Sequence, residues 1–296
     1  LVEIAFMRML AAASVLALVL AGCGGEPAHG NNEAHGGMSA ENGQHGPSLG
    51  PADAHAAEHA PTNAHAAAPA AHGAQGAGHW AYSDQSAWTA VAGTCGQGQE
   101  QSPVNLSSAA PLAEVPDLAP HYLPAAGTFV NNGHTLQFTP ENTAATLMIG
   151  NQAYSFAQFH FHAPAEHTLD RRAYPAELHF VHRNGQGQLA VVGVFLEEGA
   201  ENPALAAVLA GEPTGQGEEL ATHITADLAA LLPPDRTYFA YAGSLTTPPC
   251  SEGVRWNVLR TPITASPAQI ARLREVLGSS SRHVQPLNQR TVLLGA

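Results

Sequence analysis

Two short runs constrain this chain more than any other part of it: Gln158-Phe159-His160-Phe161-His162 and Glu177-Leu178-His179-Phe180-Val181. Both are rich in aromatic and β-branched residues, and the first lies between a polar patch and a proline, so both are predicted strands. Side chains two apart on a strand share a face. Gln158, His160 and His162 therefore share one face, and Glu177, His179 and Val181 share a face of the other. If the strands pair with those faces aligned, three imidazoles converge and leave a fourth position open, which is the arrangement of a catalytic zinc. Gln158 and Glu177 stand beside the rings, where they can take a free ring N–H and fix its tautomer. A lone strand histidine is ordinarily a packed or solvated residue. The third histidine, with a carboxylate two residues before it on the right parity, is what points to a metal.

The order of these segments, and of others, resembles the α-class carbonic anhydrases from about His79 to Gly295. The matching pieces are Trp80-Ala81-Tyr82, Gln101-Ser102-Pro103-Val104-Asn105, Asn131-Asn132-Gly133-His134 and Gln158 through Pro164. Glu166-His167, Ala176 through His182, Leu189 through Phe195, Gly243 through Pro249 and Trp256 follow in family order. Ala163 and the pair Cys95 and Cys250 look like the bacterial, exported branch of the family. The resemblance implies a mainly β fold, with a large, mostly antiparallel central sheet and short peripheral helices. It implies reversible hydration of carbon dioxide to bicarbonate and a proton, with Zn2+ on His160, His162 and His179. It further implies that Thr246 accepts a hydrogen bond from the attacking hydroxide and passes its own proton toward Glu166, and that His134 is the proton shuttle. By position, Val181, Val191, Leu245 and Trp256 are the apolar substrate wall, and Thr247, next to Thr246, is a contact for bicarbonate.

The residue types suit that chemistry. Three neutral imidazoles leave the cation its full charge, whereas thiolate or carboxylate ligands would weaken its effect on bound water; carbonic anhydrase is itself the standard instance of this effect. A threonine hydroxyl donates once, so if it donates to ionised Glu166 it must accept from the nucleophile, which is thereby oriented. Carbon dioxide is small and apolar and calls for an apolar pocket. Histidine titrates near neutrality and can take up and release a proton within one cycle. Two readings outside catalysis compete: a silent binding module on the same fold, which would be expected to lack a zinc ligand, and a metal-buffering lipoprotein, which would not need Thr246, Glu166 and His134 together. No H-E-x-x-H helix marks another kind of zinc hydrolase.

The 296 residues divide into three parts. Residues 1–23 read as a lipoprotein-type signal peptide with its true start at Met7 or Met9, having Arg8, an apolar stretch from Leu10 to Leu20 and the cleavage-box-like Leu20-Ala21-Gly22-Cys23. Cys23 is the expected lipidation site, and if the cell is Gram-negative, Gly24 in place of a retention aspartate points to the outer membrane. Export to the periplasm or cell surface follows. Residues 24–78 are dominated by Ala, His, Gly and Pro and have no helical or strand period, so they read as a disordered linker. As a flexible coil its 55 residues would average about 40 Å end to end. Its seven histidines, His29 through His72, suit a solvated spacer or a weak zinc reservoir equally. Residues 79–296 are the expected catalytic domain.

With Cys23 assigned to lipid, Cys95 and Cys250 remain as a disulfide in an oxidising compartment. Strands are predicted at Leu136–Phe138, Thr146–Ile149, Ala157–His162, Glu177–His182 and Leu189–Phe195. One helix is marked by Ser266 as cap, Pro267 in the first turn, Gln269 completing a capping box and Gly278 as terminator, with Ile270, Leu273 and Leu277 as its apolar stripe. The net charge of −13, with arginine as the only basic residue type, argues against nucleic acid as a partner. The partner expected is a small molecule, with membrane contact through the lipid alone. His121, His182, His223 and His283 are read as structural or solvated.

Overall fold

The computed structural model describes residues 79–295 except Thr143. The predicted leader, with Cys23, and the predicted linker lie outside the described residues. Fifteen strands occur among the latter: β1 (Asn105–Leu106), β2 (Leu118–His121), β3 (Ala125–Asn131), β4 (Leu136–Pro140) and β5 (Thr146–Ile149). Then come β6 (Gln152–His162), β7 (Thr168–Leu169), β8 (Arg172–Ala173), β9 (Ala176–Arg183) and β10 (Leu189–Glu198). Last are β11 (Thr222–Ala226), β12 (Tyr238–Ser244), β13 (Glu252–Leu259), β14 (Ile263–Ala265) and β15 (Leu293–Gly295). Helices are short: α1 (Trp88–Val91), α2 (Thr94–Gln97), α3 (Pro203–Ala210) and α4 (Pro267–Leu277).

Twelve strands form one sheet, with the path β11-β3-β4-β6-β9-β10-β13-β12-β15 and β2, β5 and β14 attached beside it. Its pairings are antiparallel except where β10 meets β13 and β14. The expected mainly β, mostly antiparallel architecture is therefore the one observed. All five predicted strands are present, and four of them, β4, β6, β9 and β10, run longer than the sequence suggested. β6 begins five residues earlier than predicted, because a bulge at Ala157 separates Phe156 from Gln158 in the pairing with β9. The extra residue reverses the alternation. Tyr154 and Phe156 before it, and Phe159 and Phe161 after it, all reach the same apolar core, which the period of two alone would forbid.

That core lies on the side of the sheet away from the histidines. Phe159 and Phe161 of β6, Leu178 and Phe180 of β9, and Val192, Val194 and Leu196 of β10 pack there, with Ile270 and Leu273 of α4 against them. The opposite face carries a second cluster including Val181, Val191, Tyr241, Trp256 and Val258. The polar residues between these two cores are thus held in a sheet buried on both sides.

α4 forms as its sequence predicts. Ser266 Oγ accepts the Gln269 N–H, Gln269 Oε1 accepts the Ser266 N–H, and Gly278 ends the helix at a φ of 61° that suits glycine. Gln269 also bonds the backbone of Asn202, the cap of α3, so one side chain joins two helix starts. Cys95 and Cys250 form a disulfide with a Cα–Cα distance of 5.0 Å.

Candidate metal centre

β6 and β9 pair so that His160 lies directly opposite His179, Gln158 opposite Val181 and His162 opposite Glu177. The aligned faces bring the three rings together, with centroids 4.6 to 5.2 Å apart. One nitrogen from each ring lies within 4.8 Å of the other two. All three residues are buried.

The outer nitrogens are spoken for. His160 Nδ1 donates to Gln158 Oε1 at 2.8 Å, and His179 Nε2 donates to Glu177 Oε1 at 2.9 Å. His162 Nδ1 donates to the Ser280 carbonyl at 2.6 Å. Because each acceptor is an oxygen, each of these nitrogens carries the proton, and the tautomer is set. The inward nitrogens are then Nε2 of His160, Nε2 of His162 and Nδ1 of His179. His162 Nε2 is buried and has no hydrogen-bond partner, an arrangement that a protein pays for only where something else fills the gap. Burial pushes His162 down to about 4 and also lowers His179, so both rings are neutral at pH 7, as metal ligands must be. The 3.5 Å approach of His162 Nε2 to Glu166 Oε2 is for the same reason not an ion pair. The donor set, its protonation and its orphaned nitrogen all fit a divalent cation.

Glu177 is the most heavily bonded group of the site. Its Oε2 accepts the N–H groups of Glu166 and His167, and its Oε1 accepts from His167 Nδ1 and His179 Nε2. Burial opposes its ionisation, but His167 and His179 outweigh burial and hold the carboxyl well below the usual range. Gly193, opposite His179 on β10, leaves it room: a Cβ there would stand 3.0 Å from Glu177 Oε1.

Glu166 accepts the Arg282 N–H on Oε1 and a hydrogen bond from Thr246, while its Oε2 is buried without a partner. Burial pushes its carboxyl up to about 7 against the pull of His179 and those hydrogen bonds. Thr246 follows β12 in a loop fixed by Leu245 N–H to the Ser251 carbonyl and by Trp256 Nε1–H to the Ser244 carbonyl.

A small cavity opens beside the rings, lined by His160, His179, Val181, Val191, Leu245, Thr246 and Trp256. Its volume is about 20 Å³, enough for one very small molecule. All four residues expected to form an apolar wall are in it. Thr247 is buried but outside this lining, and its carbonyl takes the Cys250 N–H. His134 is half-buried and stacks on Trp80, with centroids 4.0 Å apart. Trp80 packs edge-on to Tyr82, and Tyr82 edge-on to His162, so an aromatic row joins His134 to the centre. Burial, and the charge of His79, lower the pKa of His134.

Sequence reasoning missed three participants. Ser280 and Arg282 act on the site through backbone atoms, which no side-chain pattern announces. His167, buried between Glu177 and the Tyr241 hydroxyl, sits next to Glu166 and could have been found as a histidine beside a carboxylate.

Residues 83–295 match the family model described as eukaryotic-type carbonic anhydrase. A carbonic anhydrase of Klebsiella pneumoniae is 43% identical over 224 residues, covering 73% of this chain and 90% of that protein. One from Nostoc sp. is 41% identical over 208 residues, covering 67% and 77%. Among solved structures, the α-carbonic anhydrase from Thermovibrio ammonificans in complex with the inhibitor sulfanilamide superposes with a TM-score of 0.70 at 40% identity, covering 73% of this chain and 98% of that one. The α-carbonic anhydrase of Photobacterium profundum gives 0.69 at 39% identity, covering 73% and 100%. The chain belongs to the α-carbonic anhydrase family and is an enzyme of it.

Proposed function

We propose that this chain catalyses the reversible hydration of carbon dioxide to bicarbonate and a proton, with zinc as its resident metal. The observation that carries the reading is the set of three converging, tautomer-fixed imidazoles, with the inward nitrogen of His162 buried and without a hydrogen-bond partner. His160, His162 and His179 would hold the ion. Zinc held by three neutral imidazoles supplies a water acidic enough to furnish a nucleophile near neutral pH, carbonic anhydrase being the standard instance of that effect.

The chain's own residues do the rest. Val181, Val191, Leu245 and Trp256 exclude bulk water and accept an apolar molecule. Thr246 donates its hydroxyl hydrogen bond to Glu166, so its oxygen can only accept from the attacking group, and that fixes the orientation of attack. Thr247 is placed next to it to contact bicarbonate. His134 takes the released proton at the half-buried end of the aromatic row and passes it to buffer.

Stopped-flow hydration of carbon dioxide, with and without a chelator, tests the assignment. Activity that follows zinc content supports it; a folded, zinc-loaded chain with no activity overturns it. His134→Ala should slow turnover in weak buffer and recover with added imidazole. Unrescued loss, or no loss, removes the shuttle role. On sequence grounds we also propose export and lipid anchoring through Cys23. The mass of the mature N-terminal peptide tests this, since an unacylated peptide beginning elsewhere excludes it.

A further inference from the structure

Arg282 is 4% exposed and lies two residues beyond Ser280. Its backbone N–H donates to Glu166 Oε1 at 2.9 Å. Its guanidinium points away from the site, donating through one nitrogen to the Ser102 carbonyl at 2.7 Å and through the other to the Cys95 carbonyl at 2.8 Å, above the ring of Trp88.

Those two carbonyls belong to the residues that pin the Thr246 loop. Upstream of Thr246, Ser244 N–H donates to Ser102 Oγ, and Ser102 N–H returns a bond to Ser244 Oγ. Downstream, Cys250 is bonded to Cys95. Gly243 completes the upstream anchor, since a Cβ there would meet Ser102 Oγ at 2.2 Å. One residue therefore holds both anchors of the loop that carries Thr246 through its side chain, and the carboxylate that orients Thr246 through its backbone.

We infer that Arg282 is a positioning residue for the reaction, fixing the distance between Glu166 and Thr246 by clamping the Ser102 and Cys95 carbonyls in one planar fork. The inference rests on the proposed role of Thr246 and Glu166 in hydration. A lysine keeps the charge but is a point donor without the fork, so it cannot span both carbonyls in the same geometry. Arg282→Lys is therefore the informative variant, and burial of the charge is preserved in it.

The experiment is a cycle of four full-length, zinc-loaded proteins: wild type, Arg282→Lys, Thr246→Val and the double variant. Each is measured for kcat/KM of carbon dioxide hydration and for zinc content. Arg282→Lys is expected to bind one zinc and to lose about tenfold in kcat/KM, the scale of effect a small misplacement produces. In the Thr246→Val background the same change is expected to cost less than about twofold, because the pair it positions is already broken. Amide hydrogen exchange on the metal-free proteins gives a readout independent of turnover. Residues 244–250 should exchange faster in Arg282→Lys while 158–162 do not change.

Equal losses in both backgrounds, loss of zinc in place of loss of rate, or unchanged exchange at 244–250 would overturn the inference. A Thr246→Val protein with wild-type kcat/KM would instead overturn the underlying reading of Thr246. If Arg282→Lys does not fold, Ser102→Ala removes the Ser244 N–H bond of the upstream anchor with the arginine intact, and the same non-additivity with Thr246→Val is required of it.

Discussion

Gln158 and Glu177 hold their histidines by the same device, an oxygen on the outer ring nitrogen, but in different settings. Gln158 bonds one ring, and its Nε2 is buried without a partner. Glu177 bonds four groups at once. Gln158→Ala should therefore leave the fold intact and weaken zinc binding by about 10–100-fold, measured by competition with a chelator. Glu177→Ala should lower the yield of folded protein as well, because it strands two backbone N–H groups and two buried rings. Gln158 and Glu177 were legible in the sequence because strand parity puts them beside the histidines. The third outer partner was not: the Ser280 carbonyl is 118 residues from His162, and a carbonyl leaves no trace in residue type. His182 makes a separate residue-scale case. It is fully buried beneath Tyr122, and burial lowers it to about 3. As the pH falls below 6.5 the unfolded chain takes up this proton and the folded chain does not, so stability is present above that pH and drains away toward pH 3. In a His182→Phe variant that drain is absent. Its unfolding free energy relative to wild type should improve by about 1.4 kcal/mol per pH unit across that window, read from urea unfolding at several pH values.

At the scale of elements, most of what places the site is local and was readable. β6, β9 and β10 follow from their aromatic and β-branched runs, and α4 from its cap, box and terminal glycine. The bulge at Ala157 was not readable, because an inserted residue looks like any other until the partner strand is known. It keeps Phe156 and Phe159 in one core while turning Gln158, His160 and His162 to the other face. α4 also bears on the site, since the chain that leaves it supplies Ser280 and Arg282. Ser280 is tied to the histidine strand on both sides: its N–H donates to the Ala163 carbonyl and its Oγ accepts the Ala163 N–H. Ser266→Ala removes one half of the capping box and should destabilise the protein by about 1 kcal/mol in equilibrium unfolding, without changing zinc affinity. A loss of affinity larger than the loss of stability explains would show that the cap reaches the centre through Ser280.

At the scale of the whole molecule, the described residues contain both apolar cores, the disulfide and the complete three-histidine arrangement. The family match, residues 83–295, falls within the same span. The disulfide closes a separation of 155 residues, so replacing both cysteines by serine should lower stability by about 3–5 kcal/mol. Removing residues 1–78 should do nothing comparable. None of the hydrogen bonds that orient the histidines comes from that segment. The truncated chain is accordingly expected to keep its unfolding free energy within about 0.5 kcal/mol of the full chain, and its kcat/KM for carbon dioxide within about twofold. The seven histidines between His29 and His72 leave one difference to look for. If they gather zinc, the full chain will retain more metal at its centre than the truncated chain when both are titrated with a chelator at limiting zinc. Equal occupancy at every chelator concentration would assign those histidines to the spacer and confine metal capture to β6 and β9.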